Sequence, residues 1–314
     1  MTADATSAAA PVGWPDGKVA AAALTFDVDA ESAVLSADPS SRTRMTVMSH
    51  QSYGPLTGVP RILSLLERHA IRATFFVPGY TAERYPSVVQ GIADAGHEIA
   101  HHSYLHESTI GMDRDTEARM IDRGLEALDS VVGVRPLGYR APMWELNYHT
   151  PSLLLDRGFE YDSSMMDCDL PYRLAESGQP DARDIVEIPV HWALDDWEQY
   201  AFVPGVTGSG LIESPDKVLA MWSRELDSFY LERCCFVLTN HPFLTGRPSR
   251  VQALERLVEK MESLEGLWVA TLGEIAAHTR SLAPLPRHFP EPILPPASGP
   301  GERPVAGDGE GASR

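Results

Sequence analysis

Cysteine is scarce in this 314-residue chain, which has only Cys168 and the adjacent pair Cys234 and Cys235. An odd number without paired spacing gives neither a disulfide framework nor a thiolate zinc site. The three read as core thiols in a reducing compartment. Positive charge is also short: 26 Lys and Arg stand against 44 Asp and Glu, a formal net charge of −18. The basic residues form no stripe, which argues against nucleic acid and anionic lipid surfaces as partners. No apolar run reaches the roughly 18 residues of a spanning helix, so no membrane segment is expected. The opening MTADATSAAAPVGWPDGK lacks a basic n-region and an uninterrupted apolar h-region, so the chain reads as non-secreted and is expected in the cytoplasm.

The chain does have the makings of a core. Hydrophobic residues make up 43% and charged residues 22%, ordinary values for a globular protein. The expected organisation is a flexible N-terminal segment over 1–18, one domain over 19–282, and an extended or disordered tail over 283–314, where Pro, Gly and charge dominate. VAAAALTFDV at 19–28 is short enough for a buried strand and ends on acidic residues. Residues 31–55, rich in Ser, Thr, Pro and Gly, read as a long functional loop. Helices follow around 58–69, 84–95, 114–131, 149–157, 215–231 and 248–263. Between them lie the strands ATFFVP, HEIA, LGYR, FEYDS, IVEIPV, CCFVLTN and WVAT. This alternation predicts an α/β fold with a mostly parallel sheet, open or closed into a barrel.

In such a fold, polar residues just past the strand C-termini converge on one face. Asp27 and Asp29 end the first strand two residues apart and so share a face while the strand lasts. A pair of this kind suits one metal ligand and one general base, although a solvated strand end also explains an isolated D-x-D. GHEIAHHSYLHE at 96–107 holds four histidines. His102 and His106 are spaced to share one side of a helical turn, and with Asp29 they would form a two-His, one-carboxylate metal triad. The same stretch contains HEIAH, a literal H-E-x-x-H match that would make Glu98 the base of a zinc protease between His97 and His101. That motif requires a helix. Gly96 reads as a helix C′ residue, which leaves HEIA as a strand with His97 and Ile99 on one face and Glu98 on the other.

Arg140 ends a strand in YRAPMW, where it could hold a carboxylate in its ionised form, although an ordinary surface ion pair also explains an arginine taken singly. His241 follows the strand FVLT and is placed to act as a general acid. HWALDDWEQY mixes aromatic and acidic side chains (His191, Trp192, Asp195, Asp196, Trp197 and Tyr200). Aromatic side chains mixed with carboxylates suit a substrate wall, with Trp192 and Trp197, together with Trp144, as its tryptophans, though core packing explains the tryptophans about equally well.

In this order the segments resemble the polysaccharide deacetylase (NodB-homology) family. TFDVDAE resembles its T-F-D-D-G motif, HHSYLH its H-[ST]-x-x-H motif at His102, Ser103 and His106, RAPMW its R-x-P motif, and TNHP its strand-borne histidine. The resemblance runs from Leu24 to Thr271. It implies a distorted (β/α) barrel, a divalent ion, zinc above all, on Asp29, His102 and His106, Asp27 as base tethered by Arg140, and His241 as general acid. Two features depart from the pattern. Val28 separates the acids, with Ala30 where the family has Gly, and the family's Asp and Trp motif is split between Asp162 and Trp197. FDVDAE and HPFLTGRP look closer to the branch holding non-secreted peptidoglycan-deacetylase-like proteins, cyclic imide hydrolases and metal-independent allantoinases. This chain keeps all three ligands.

The resulting expectation is a metal-dependent amidohydrolase that removes an N-acyl group from a small or saccharide substrate, with ring opening of a cyclic imide or ureide as the alternative. A zinc protease and a non-catalytic sugar-binding barrel are the remaining classes. The resemblance also suggests a homo-oligomer.

Overall fold

The computed structural model describes residues 13–203 and 211–294. Its strands are β1 (Ala20–Asp27), β2 (Thr74–Val77), β3 (Glu98–His101), β4 (Gly138–Tyr139), β5 (Tyr161–Asp162), β6 (Tyr172–Ala175), β7 (Asp184–Glu187), β8 (Cys235–Asn240) and β9 (Leu267–Val269). They form one sheet in the order β6-β7-β5-β4-β3-β2-β1-β8, with β9 also paired to β1. Every pairing is parallel except β6 with β7. Beyond β7 the chain runs back to β8, where Asp195 bridges Thr239. The Cys235 N–H donates to Asp169 O at 3.0 Å nearby. The result is a curled, mostly parallel sheet, as the alternation of elements predicts, in the distorted (β/α) barrel form that the family resemblance implies.

Period-two alternation sorts each strand into an inner and an outer face. On β1, Leu24 and Phe26 point outward into the main core with Ile62, Leu65, Phe75, Leu254 and Leu257. Ala21 and Ala23 point inward against Phe76, Tyr161, Val186 and Val237. Small residues on the inner face of β1 leave room for the bulky ones opposite. The same alternation carries Thr25 and Asp27 inward at the top of β1.

Two local expectations need correction, and two elements lie outside the expected set. Residues 31–55 are helical: Ser32–Ala37 and Met45–Tyr53 are α-helices, Pro39–Thr43 is a 3₁₀ turn, and a π turn follows over Gly54–Gly58. These pieces are short, and Met45–Tyr53 buries only Val47 and Gln51, so they carry no apolar stripe for periodicity to reveal. The helix expected over 84–95 is two helices, Gly79–Arg84 and Pro86–Asp94, parted where Pro86 forces Tyr85 out of helical geometry. The two additional elements are the antiparallel edge strand β6 and the helix Leu272–Ser281. The latter's Thr271/Glu274 capping box, visible in TLGE, was a usable start signal.

At the chain ends, Trp14 is buried and donates Nε1–H to Arg233 O at 2.9 Å. Arg287 bonds through its backbone to Arg173 and Ala175 of β6. No helix among the described residues is long and apolar enough to cross a membrane. All three cysteines are free, and Cys235 is buried.

Candidate active site

The strand tops of β1, β3, β4 and β8 deliver one constellation. Asp27 closes β1, and Asp29 follows it after Val28, whose side chain packs in the outer core. Both carboxylates are buried. Asp27 Oδ1 accepts from Arg140 Nη1 at 2.8 Å. Arg140 is wholly buried rather than forming a surface ion pair: it also donates to Thr25 Oγ1 and Ser163 O, and its guanidinium lies 4.1 Å from the Phe76 ring centre.

Asp29 differs from every other acid here. Neither of its buried oxygens has a hydrogen-bond partner. Instead, Oδ1 faces His102 Nε2 at 3.6 Å, and Oδ2 faces His106 Nε2 and His241 Nε2, each at 3.6 Å. Buried carboxylate oxygens without a hydrogen bond are costly, and their placement against imidazole nitrogens suits a site that could hold a cation. One ligand atom each from Asp29, His102 and His106 lies within 4.8 Å of the other two, the spread of a metal centre. His102 Nδ1 sits 2.7 Å from Arg140 O, so Nδ1 carries the proton and Nε2 keeps its lone pair free. Burial lowers the His102 pKa to about 3, which keeps the ring neutral as a ligand must be.

His102 and His106 do not share a regular helical turn. Their segment is an irregular turn with Ser103 at φ 60° and His106 at φ 58°. Glu107 Oε2 staples it, accepting from Ser103 Oγ at 2.6 Å and from the Leu105 N–H at 2.8 Å. Ala30, Met143 and Trp144 around the cavity also have φ between 50° and 56°. Strained backbone of this kind concentrates at functional sites.

His241 heads the turn after β8. Its Nδ1 is 2.7 Å from Asp196 Oδ1. Asp196 also accepts the backbone N–H groups of His241 and Thr245, and the Thr245 hydroxyl. Burial by itself would lower the His241 pKa, but the Asp196 hydrogen bond and the charges of Asp195, Asp196 and Asp29 outweigh it, raising the value to about 10. Burial pushes Asp195 up to about 7. Asp195, Asp196 and His241 also satisfy the spacing of a metal group, but Asp196 is already saturated with donors.

Asp27, Asp29, His102, His106 and His241 line a cavity of about 300 Å³ together with Trp144, Trp192 and Trp197. Trp144 and Trp192 stack with ring centroids 4.5 Å apart, and the Trp197 ring meets the His241 ring at 5.1 Å. Of the remaining HWALDDWEQY residues, Asp195 lines the cavity, but His191 and Tyr200 do not. Tyr200 packs edge-on against Trp222 instead. Asp196 was expected in a substrate wall, yet it is the partner of His241; its place beneath that histidine depends on long-range pairing that no local spacing encodes.

The HEIAH stretch is a strand and not a helix. Glu98 opens β3 at the far end of the barrel from the cavity, where Thr74 Oγ1, Tyr161 OH and the Gly273 N–H all donate to it. His101 faces outward, with Nε2 3.0 Å from Ile121 O. A zinc-protease site is therefore absent at this position.

Asp and His side chains gathered at the strand tops of a parallel barrel have the placement of an enzyme active site. The polysaccharide deacetylase family profile matches residues 41–161. A peptidoglycan deacetylase of Helicobacter pylori is 34% identical over 241 residues, covering 70% of this chain and 82% of the relative. A crystal structure from Mycobacterium smegmatis, assigned to the polysaccharide deacetylases, superposes with a TM-score of 0.88 at 54% identity, covering 91% of this chain and 99% of the other. The fold is shared with PuuE allantoinase, at a TM-score of 0.74 and 24% identity over 89% of this chain and 99% of the other. The chain belongs to the polysaccharide deacetylase family and is a hydrolytic enzyme acting on carbon–nitrogen amide bonds.

Proposed function

We propose that the cavity hydrolyses the amide bond of an N-acyl substrate, with Asp29, His102 and His106 holding a divalent cation. The observation that carries this reading is the pair of orphaned, buried Asp29 oxygens facing imidazole Nε2 atoms at 3.6 Å. Two imidazoles and one carboxylate suit zinc or a related ion. When bound, the ion supplies Lewis-acid activation of water and of the amide carbonyl.

Asp27 is the base. Arg140 and Thr25 fix its orientation through the Arg140 guanidinium, and Asp27 Oδ2 remains 3.9 Å from His102 Nε2, at the edge of the ligand set. It takes the proton of the attacking water as the new carbon–oxygen bond forms. His241 is the acid. With its pKa raised to about 10 it is protonated at neutral pH, and its Nε2 gives that proton to the departing nitrogen as the carbon–nitrogen bond breaks. A carboxylate and an amine leave.

The helix Ser32–Ala37 closes one side of the cavity with Ala33, Val34 and Ala37, and tryptophans form the other. This favours a compact substrate, such as a single N-acyl sugar or another small amide. Ring opening of a cyclic imide or ureide is the second reading, supported by the largely apolar walls. Turnover of a panel of N-acyl sugars, peptidoglycan fragments, small amides and cyclic imides by zinc-reconstituted protein tests the assignment. Faster turnover of long polymers than of small amides would remove the compact-substrate reading, and no turnover of any amide would remove the function.

A further inference from the structure

We propose that Gly58 and Arg61 are positioning residues for His241: their helical segment is seated against the turn that carries this histidine and fixes the turn's register over the cavity. The inference rests on the role of His241 proposed above.

The contact is backbone against backbone. A Cβ on Gly58 would lie 2.1 Å from Pro242 O, and one on Gly246 would lie 2.5 Å from Gly58 Cα. Gly58 has φ −65° and Gly246 φ −66°, values any residue adopts, so space and not conformational freedom demands glycine at both positions. Gly54 completes the seat, with its missing Cβ 3.2 Å from Phe243 N.

Polar contacts then lock the seated turn. Arg61 Nη1 donates to Gly246 O at 2.5 Å and to Tyr53 OH at 2.8 Å, and Arg247 lies over the Tyr53 ring at 3.5 Å. On the opposite side, Asp196 holds His241 and Thr245. The turn is thus pinched between Asp196 within the barrel and Gly58 with Arg61 outside it. None of Gly54, Gly58 or Arg61 lines the cavity, so none reaches substrate. A shift of this turn moves His241 Nε2 away from its place 3.6 Å from Asp29 Oδ2. Misplacement by about 1 Å can cost on the order of 100-fold in rate.

The test uses the zinc-loaded full chain with Gly58→Ala, Arg61→Ala and Arg61→Lys, assayed on an amide that the wild type turns over and on 4-nitrophenyl acetate, whose leaving group needs no protonation. We expect kcat on the amide to fall between about 10- and 100-fold for Gly58→Ala and Arg61→Ala, with KM and zinc content unchanged and partial recovery in Arg61→Lys. Loss on the ester should stay within about twofold, because a displaced acid harms only the step that needs it. An unchanged amide kcat, or equal loss on amide and ester, overturns the inference. If Gly58→Ala does not fold, the two Arg61 variants decide. His241→Ala separates this inference from its foundation: retained amide hydrolysis in that variant removes the role of His241 itself, whereas loss there with normal Arg61 variants removes only the positioning.

Discussion

Asp196 Oδ1 lies 2.7 Å from His241 Nδ1 across 45 residues of sequence, and accepts the backbone N–H of the same histidine at 2.9 Å. One carboxylate thus orients the ring and, with the charges of Asp195 and Asp29, favours its protonated form. Nε2 is left as the atom that faces the cavity.

Asp196→Asn should lower amide kcat by about 100-fold or more, the usual contribution of a general acid. The sign of the pH effect follows from the charge. His241 must be protonated to donate, so activity is held below its pKa and lost above it. In wild type the Asp196 partnership places that limb above the ordinary histidine value. Without the anionic partner it moves down toward the ordinary 6.5, and a pH–kcat profile of the two proteins reads the displacement.

Glu98→Gln should leave zinc content and kcat within about twofold of wild type. Glu98 accepts three hydrogen bonds at the far end of the barrel, so the change costs roughly 1–3 kcal/mol of stability and no chemistry. Loss of zinc in this variant would revive the HEIAH site.

Asp162 and Glu187 are register partners on β5 and β7, both fully buried. Burial raises Asp162 to about 6; burial and the neighbouring Asp162 charge raise Glu187 well above its usual value. The folded state therefore holds protons that the unfolded chain releases from about pH 4 upward, so this pair makes stability fall as pH rises toward 6. Thermal melts across that range should show a flatter dependence in Asp162→Asn. An identical slope in both proteins would contradict the assignment.

Ala30 stands at φ 50° between Asp29 and the helix Ser32–Ala37. Glycine adopts this region freely, so Ala30→Gly should raise stability by roughly 1 kcal/mol with hydrolysis intact. Denaturant unfolding measures it, and a clear destabilisation would show that the Ala30 methyl group contributes packing that outweighs its strain.

Much of this architecture was legible in the sequence, for reasons the structure makes plain. Each of Asp27, His102, Arg140 and His241 sits at a strand's C-terminal end, and strand ends are marked by the switch from apolar runs to polar residues. The register of HEIA was legible too, because Gly96 set where the helix stopped. The helical nature of 31–55 was not, since its helices are short and bury few residues. Nor was the seat of Gly58 against Pro242 and Gly246, which joins segments nearly two hundred residues apart in sequence. Glu107 was within reach: an acid one residue after His106 is placed to staple the turn before it.

Zinc stoichiometry and amide hydrolysis, measured together on wild type, Asp29→Ala and Asp27→Asn, test the division of labour at the centre of this site. The wild type should bind one equivalent of zinc and lose activity to chelators. Asp29→Ala should lose both the metal and hydrolysis, while Asp27→Asn keeps the metal and loses hydrolysis by about 100-fold or more. Zinc retained in Asp29→Ala, or full activity in Asp27→Asn, would contradict the account.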